Sequence, residues 1–266
     1  MGMGGHLMWT AVAKNIKKHL NKNCTAIENN NFCNSKIFAN NPNFSKDSKF
    51  ILNLSEKKTN YVKRDGGRVV FSTKDHAIKH ALKYYEINND IDLKCEIYPT
   101  KEEENKSESI VNDLPLEYVC IEPHSKTSWM KSRVYPFDKY QNIVNALKDK
   151  FNFVQIGAPN AKKLDNVLCI NGKLTFRETY GVLKNSMFLL STEGGLVHLA
   201  NASGTKSFVI YTSYQHPSMT MYPENTLIDI ALYRDEILGY KKHELYEKER
   251  ESHNETEIIE LINKEK

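Results

Sequence analysis

The sequence of 266 residues lacks any apolar run that approaches the ~20 residues needed to span a bilayer. Its amino terminus lacks the order of a signal peptide, because the first lysines follow an apolar stretch instead of preceding it. No basic run is interleaved with aromatic side chains, so the net charge of +4 does not predict a nucleic-acid partner. We therefore expect a cytoplasmic protein with no transmembrane segment and no bound nucleic acid.

Paired cysteines are also missing. The five cysteines are odd in number and scattered, with no Cys-x-x-Cys spacing. Cys120 and Cys169 lie in apolar runs, where cysteine packs as a small hydrophobic residue. This usage is typical of a reducing compartment and argues against a zinc site, so we expect no bound metal.

The second half of the sequence alternates short apolar strands with helical patterns. Runs such as 118–121 and 153–156 are separated by such patterns, which indicates a parallel sheet covered on both faces. The clearest unit, at 187–217, contains a strand, a Ser-Thr-Glu-Gly-Gly turn, a helix at 196–202, Gly204 and a second strand. Open α/β sheets bind ligands at such turns, because helix amides point outward there and glycine lets a phosphate come close.

The first half is less regularly patterned. Apolar residues at helical spacing predict a helix that begins near residues 6–8, directly after a Gly4-Gly5 turn. In α/β proteins such a turn normally follows a strand, and none precedes it here. We therefore expect a reduced amino-terminal lobe without its first strand. Further strands are predicted at 50–54, 68–71 and 95–98, and a helix at 76–87.

An acidic, polar segment at 99–113 has few apolar residues and predicts an interdomain linker. With a boundary near residue 112, we predict an amino-terminal Rossmann-like lobe at 1–112 and a carboxy-terminal Rossmann-like lobe at 113–240. Residues 241–266 predict a charged helix that packs across the lobes. The predicted fold class is α/β.

Three predicted loops carry candidate functional residues. In the first, Gly4 and Gly5 suit a close approach to a phosphate or an acceptor at a helix start. His6 could act as a general base, because the unperturbed pKa of histidine lies near neutrality. A simple tight turn followed by an exposed histidine fits these residues equally well.

The second loop, at 122–133, places cations and hydroxyl side chains at the carboxyl end of a strand. Lys131 and Arg133 could neutralise a diphosphate, with short hydroxyl donors beside them. A solvated loop is the alternative.

The third loop follows the strand near residue 190. Glu193 could accept hydrogen bonds from sugar or ribose hydroxyls, and the first amides of the next helix could face a phosphate. His198 could contribute to donor binding as well, or it could be a core residue whose ring is hydrogen-bonded within the protein. The candidate residues of this unit are Glu193, Gly194, Gly195, Leu196, His198, Thr212 and Ser213.

The segment Glu193-Gly-Gly-Leu-Val-His-Leu-Ala-Asn-Ala-Ser-Gly, followed by Phe208-Val-Ile-Tyr-Thr, resembles the donor-site signature of family 9 glycosyltransferases, the ADP-heptose:lipopolysaccharide heptosyltransferases. Lys131-Ser-Arg-Val-Tyr-Pro resembles the family's Lys-Arg-Trp-Pro element, which supplies a cation to the donor diphosphate. Met3-Gly-Gly-His-Leu-Met-Trp-Thr resembles the family's first-strand turn. The likeness covers the second half and the first 20 residues, and covers residues 21–100 poorly.

The resemblance implies a GT-B fold, in which the lobe at 113–240 binds most of the nucleotide sugar and the lobe at 1–112 faces the acceptor. It implies metal-independent, inverting transfer of a sugar, with heptose as a candidate, from a nucleotide-diphosphate donor to a glycan or glycolipid acceptor at the inner membrane surface, as in lipopolysaccharide biosynthesis. The donor is a co-substrate, and no cofactor is expected. The implied donor-binding residues are Lys131, Arg133, Glu178, Glu193, Gly194, Gly195, Leu196, His198, Thr212 and Ser213, with His6 as the base.

Two positions depart from the family pattern. Gly5 stands where the family has the Asp taken to be the catalytic base, with His6 next to it. Arg177 stands where the family has a ribose-contacting Glu, with Glu178 adjacent. A catalytically degenerate nucleotide-sugar-binding protein is therefore an alternative. A nucleotide-sugar epimerase is disfavoured, because the first turn lacks Gly-x-Gly-x-x-Gly and no Tyr-x-x-x-Lys pair lies in a suitable helix.

Overall fold

The structure, a computed structural model, describes residues 2–54, 61–64, 68–71, 75–124, 133–234 and 243–265. Its strands, in chain order, are Thr25–Glu28 (β1), Asn31–Phe32 (β2), Ile51–Asn53 (β3), Tyr61–Arg64 (β4), Arg68–Phe71 (β5), Val119–Glu122 (β6), Phe153–Gln155 (β7), Leu168–Cys169 (β8), Leu189–Thr192 (β9), Ser207–Tyr211 (β10) and Thr226–Asp229 (β11).

Strands β6 to β11 form a parallel sheet in the order β11-β10-β9-β6-β7-β8. The chain moves from β6 through β7 to β8 at one edge, then returns to β9 beside β6 and continues to β11. This is the strand order of a doubly wound nucleotide-binding domain, and the direction of winding reverses between β6 and β9. The prediction of a parallel sheet in the second half is confirmed.

The helices are Met3–Leu20 (α1), Ala77–Lys83 (α2), Lys101–Val111 (α3), Phe137–Leu147 (α4), Thr179–Lys184 (α5), Gly195–Ser203 (α6), His243–Ser252 (α7) and Thr256–Asn263 (α8). They cover both faces of the sheet, because successive strand side chains point to opposite sides. Val119 and Ile121 of β6 belong to a core shared with α4 and α8. Cys120, between them, belongs to the opposite core, which includes buried residues of α1, α5 and α6.

Helix α1 is a core element from its first turn. Its buried polar side chains hold the extended segment at 91–98: Thr10 Oγ1 accepts the Glu96 amide at 2.8 Å, and Asn15 exchanges hydrogen bonds of 2.7 and 2.9 Å with the backbone of Asp92. The strand predicted at 95–98 is wrong for this reason. The backbone of that segment pairs with side chains of helices instead of with another strand.

A small sheet in the order β2-β1-β3 accompanies α1. Strands β1 and β2 are antiparallel, with Glu28 opposite Asn31, so Asn29 and Asn30 form a two-residue hairpin turn. Both asparagines have positive φ angles, of 50° and 61°, as such a turn requires. After this turn, β2 leads the chain back toward the first turns of α1, where Cys33 and Ser35 contact His6.

The segment at 99–113, predicted to be an interdomain linker, contains helix α3. Thr100 and Glu103 form a reciprocal capping box, with hydrogen bonds of 3.2 and 2.8 Å between each side chain and the other's amide. Three glutamates in the first turn favour the helix further, since they face its positive end. The domain boundary near residue 112 stays a prediction.

The carboxy-terminal segment forms two helices, α7 and α8, where one charged helix was predicted. Ile258 and Ile262 of α8 are buried in the core beside α4, and Glu249 of α7 is fully buried. Both helices are therefore part of the folded unit. Within the residues that the structure describes, no helix combines the length and apolarity that membrane crossing requires.

Candidate active site

Two oppositely charged side chains meet where the winding of the sheet reverses. Arg133 lies in the loop after β6, and Glu193 follows β9 directly; β6 and β9 are neighbours, with Glu122 opposite Ser191. Arg133 Nη1 donates to Glu193 Oε2 at 2.6 Å, and the side chains are 16% and 7% exposed. The carboxyl ends of parallel strands form a crevice at such a reversal, and ligands bind there. The structure thus joins two residues that the sequence placed in separate candidate loops.

His198 supports Glu193 from the next helix. Its Nδ1 lies 2.7 Å from the Tyr222 hydroxyl, and its Nε2 lies 3.8 Å from Glu193 Oε1. Burial lowers the pKa of His198, the nearby Glu193 carboxylate raises it, and Arg133 lowers it further, with a net lowering. The ring is therefore neutral near pH 7. His198 is therefore a buried core residue beside Glu193, and its contribution to donor binding stays a prediction.

The amino-terminal ends of α1 and α6 meet at this place. A Cβ on Gly4 would lie 2.9 Å from the Gly195 Cα and 2.9 Å from His198 Cδ2, so only glycine permits this approach. Neither helix has a side-chain cap, because Gly2 and Gly194 occupy the cap positions. Amides at the first turn of a helix have no partner within the helix and attract anions. Two such ends therefore converge beside the Arg133–Glu193 pair.

The predicted turn at Gly4 and Gly5 is wrong as local structure. Helix α1 begins at Met3, and the His6 amide already bonds to the Gly2 carbonyl at 3.1 Å. Both glycines therefore lie in the first helical turn. Their prediction as residues that contact a phosphate or an acceptor stays a prediction.

Glu122 is a residue of this crevice that was not among the sequence candidates. Its carboxylate accepts a hydrogen bond from Ser191 Oγ at 2.9 Å. Burial raises its pKa to about 8, while the bond from Ser191 and the charge of Arg133 oppose the rise. Its position at the end of β6, level with the start of the Glu193 turn, is the signal that could have identified it.

Thr212 and Ser213 are buried, and their hydroxyl groups form hydrogen bonds within the protein. Ser213 donates its hydroxyl to Glu249, and its amide donates to the same carboxylate at 2.8 Å. Thr212 Oγ1 accepts the Tyr214 amide at 3.3 Å. Both residues are buried, at 4% and 0% exposure. This arrangement argues against the predicted phosphate contact of Ser213.

The Glu178 carboxylate also has hydrogen-bond partners within the protein. Its carboxylate binds Lys106 of α3 at 3.0 Å and the Thr175 amide at 2.6 Å. Its neighbour Arg177 binds Glu103 through two nitrogens, at 2.7 and 2.9 Å. These ion pairs hold α3 against the loop before α5. We conclude that both residues have structural partners where a ribose contact was expected for Glu178.

His6 lies in a different group from Glu193. Its ring contacts Ser35, Glu28 and Cys33, and the residue is only 8% exposed. Burial lowers its pKa, Glu28 raises it, and the net shift is downward. The prediction that His6 acts as a general base stays a prediction, although the exposed histidine considered as an alternative is excluded. Lys131, the other predicted cation, falls outside the described residues.

The doubly wound sheet, with a charged pair at its reversal point and two uncapped helix ends, has the architecture that nucleotide-binding α/β proteins commonly use. The profile of "Glycosyltransferase family 9 (heptosyltransferase)" matches residues 68–236, which is more than half of the chain. The chain therefore belongs to glycosyltransferase family 9 and is a glycosyltransferase, as the resemblance predicted. A search of curated proteins finds no match.

Solved structures with the same fold include three glycosyltransferases. A family 9 glycosyl transferase from Veillonella parvula is 10% identical, with a TM-score of 0.69, and the match covers 100% of this chain and 94% of that one. The iron-containing dodecameric glycosyltransferase TibC from enterotoxigenic E. coli is 14% identical, with a TM-score of 0.68 and coverage of 100% and 74%. ADP-heptose lps heptosyltransferase II from E. coli is 11% identical, with a TM-score of 0.55 and coverage of 72% and 62%. These likenesses confirm the predicted GT-B fold.

Proposed function

We propose that this protein transfers a sugar from a nucleotide-diphosphate donor to a hydroxyl of a glycan or glycolipid, with inversion and without a metal in the transfer step. Heptose is the first candidate sugar, since the E. coli heptosyltransferase with the same fold uses ADP-heptose by its name. The acceptor would be a lipopolysaccharide precursor at the inner membrane surface, reached from the cytoplasm.

The observation that carries the proposal is the Arg133–Glu193 ion pair at the reversal point of the sheet. Without a donor the two charges neutralise each other. A nucleotide sugar offers each of them a better partner, because its diphosphate suits the guanidinium and its hydroxyls suit the carboxylate. Donor binding would thus replace one ion pair by two charge-assisted contacts.

The same elements would assist departure of the nucleotide diphosphate. Negative charge grows on the leaving phosphate as the bond to the sugar breaks, and the N-terminal ends of α1 and α6 face that region together with Arg133. Fixed dipoles and a held cation stabilise such charge without having to reorganise. His198, fixed by Tyr222, would keep the Glu193 carboxylate directed at the sugar.

The test is a screen of ADP-, GDP-, UDP- and CMP-sugars for donor consumption, with the best donor then compared between the wild type and Glu193→Ala. We expect kcat/KM to fall about 10- to 100-fold, which is the effect of losing a hydrogen bond to a charged group. Glu260→Ala, an exposed glutamate of α8, is the matched control and should behave as the wild type.

Equal activity of Glu193→Ala and the wild type would disprove the site assignment. Calorimetry with the corresponding nucleoside diphosphates distinguishes an active transferase from the remaining alternative. If diphosphates bind and no sugar donor is consumed, the chain is a degenerate nucleotide-sugar-binding protein.

A further inference from the structure

Three side chains of different chemistry converge on the small amino-terminal sheet. His6 comes from the first turns of α1, Glu28 from the end of β1, and Cys33 from directly after β2. The Asn29-Asn30 hairpin turns the chain back, so that Cys33 lies beside Glu28. His6 is 8% exposed, Cys33 is 9% exposed, and Glu28 is partly buried.

The separations of the three ligand atoms fit a transition metal. His6 Nε2 lies 3.4 Å from Glu28 Oε2 and 4.0 Å from Cys33 Sγ, and the sulfur lies 3.9 Å from Glu28 Oε2. Atoms spaced in this way share a centre about 2.2 Å from each, which is within the range of zinc bonds to nitrogen, oxygen and sulfur. One ion could therefore bind all three atoms with little movement of the side chains.

The other nitrogen of the His6 ring is already held. Ser35 Oγ lies 2.9 Å from His6 Nδ1 and also accepts the Ile37 amide at 3.3 Å. When Nδ1–H donates to Ser35, Nε2 carries the lone pair and directs it at Glu28 and Cys33. Histidines that bind metals commonly have such a partner, because it fixes both the tautomer and the ring orientation.

The cluster opens onto a cavity of about 320 Å³, lined by His6, Glu28, Asn29, Phe32, Cys33, Asn34 and Ser35. A metal at the shared centre would have three protein ligands and a fourth position toward this cavity. Sites that are closed by four protein ligands are structural, whereas sites with three ligands and an open position accept water or a substrate group.

We propose that His6, Glu28 and Cys33 form a site for a divalent metal of the zinc class, with an exchangeable fourth ligand in the adjoining cavity. The mixture of imidazole, carboxylate and thiolate suits zinc and disfavours magnesium and calcium, which prefer oxygen ligands alone. A metal-bound His6 has no lone pair left for a proton. The proposal therefore replaces the prediction of His6 as general base, and it is independent of the donor site at Glu193.

The test uses the 266-residue chain, stripped of metal with a chelator and titrated with Zn²⁺ in a calorimeter and with Co²⁺ in a spectrophotometer. We expect one Zn²⁺ per chain and a cobalt–thiolate charge-transfer absorption. Cys33→Ser should abolish that absorption and weaken Zn²⁺ binding at least about tenfold. Cys169→Ser, which changes a more exposed cysteine of β8, should retain both signals.

Glu28→Gln provides a second variant in case Cys33→Ser does not fold, as judged by circular dichroism. It should weaken Zn²⁺ binding at least about tenfold. This variant leaves all five cysteines in place. The proposal is overturned if the cobalt–thiolate absorption disappears in Cys169→Ser and persists in Cys33→Ser. It is equally overturned if the wild type takes up no stoichiometric Zn²⁺, or if folded Glu28→Gln binds Zn²⁺ as tightly as the wild type. None of these outcomes depends on sugar transfer.

Discussion

The two faces of the six-stranded sheet are completed in different ways. On one face, every buried residue of the core lies between Val119 and Ile262, so this core needs nothing from the first hundred residues. On the other face, the core runs from Leu7 to Tyr222 and includes α1 and the small sheet. The carboxy-terminal region thus has one core of its own, whereas the buried residues of the amino-terminal part of the described chain share their core with the other face of the sheet.

The strongest test of this comparison is Arg177→Ala. Arg177 is 5% exposed and ties the loop before α5 to Glu103 and to the carbonyls of Lys36 and Tyr98. Loss of its hydrogen bonds to Glu103 and to the two carbonyls costs about 3–5 kcal/mol in total, since a hydrogen bond to a charged group contributes about 1.5–3 kcal/mol. We expect the free energy of unfolding in urea to fall by that amount, with faster hydrogen exchange at 91–111 than in α8.

Lys101→Ala is the control for this experiment. It removes an exposed ion pair with Glu104 in the same helix, α3, whose side chains are 74% and 49% exposed. Such a pair contributes at most about 1 kcal/mol. Equal urea midpoints for the two variants would show that the two regions are not held together by Arg177.

A smaller loss of stability is expected for Gly4→Ala. This substitution would push the starts of α1 and α6 apart at the candidate site. The added Cβ would meet the Gly195 Cα at 2.9 Å, and this backbone atom cannot rotate away. Although alanine favours helices, overpacking of this kind costs about 1–3 kcal/mol. We expect a lower melting temperature and weaker binding of the best donor. Gly2→Ala, whose Cβ would meet nothing within 4 Å, should leave donor binding unchanged.

The last test concerns the pH dependence of the carboxy-terminal region alone. The pKa of Glu122 is about 8 in the folded protein, mainly through burial, against about 4.3 for an unfolded glutamate. Its contribution to stability is therefore complete below pH ~4 and is lost as pH rises, with the loss finished above pH ~8. Glu122→Gln should remove this part of the decline, so melting curves between pH 5 and pH 9 should show a flatter profile for the variant. Identical profiles would contradict the assignment.

Most of the large sheet could be predicted from the sequence, because each of its strands is a short apolar run whose signal is local. The unit around Glu193 was predicted closely for the same reason, since Gly195–Ser203 and Ser207–Tyr211 differ little from the predicted helix and strand. Helix α3 was missed because its apolar residues are few. Its signal was the spacing of Thr100 and Glu103, which is that of a capping box.

The contacts between distant segments could not be predicted. Arg133 and Glu193 were each candidates, but only the strand order makes β6 and β9 neighbours and brings the two side chains together. His6, Glu28 and Cys33 come from three separate segments, and no spacing in the sequence marks them as a group. Ser213 looked like a free phosphate donor, because nothing local indicates that Glu249 pairs with it.

Helix α7 supports both loops at the carboxyl edge of the sheet. Glu249 holds Ser213 after β10, and Arg250 Nη1 donates to the Val134 carbonyl at 2.7 Å, next to Arg133. A ribosome makes α7 only after every strand of the six-stranded sheet. The candidate crevice is therefore braced last during synthesis, together with the core beside α4, to which α8 contributes Ile258 and Ile262.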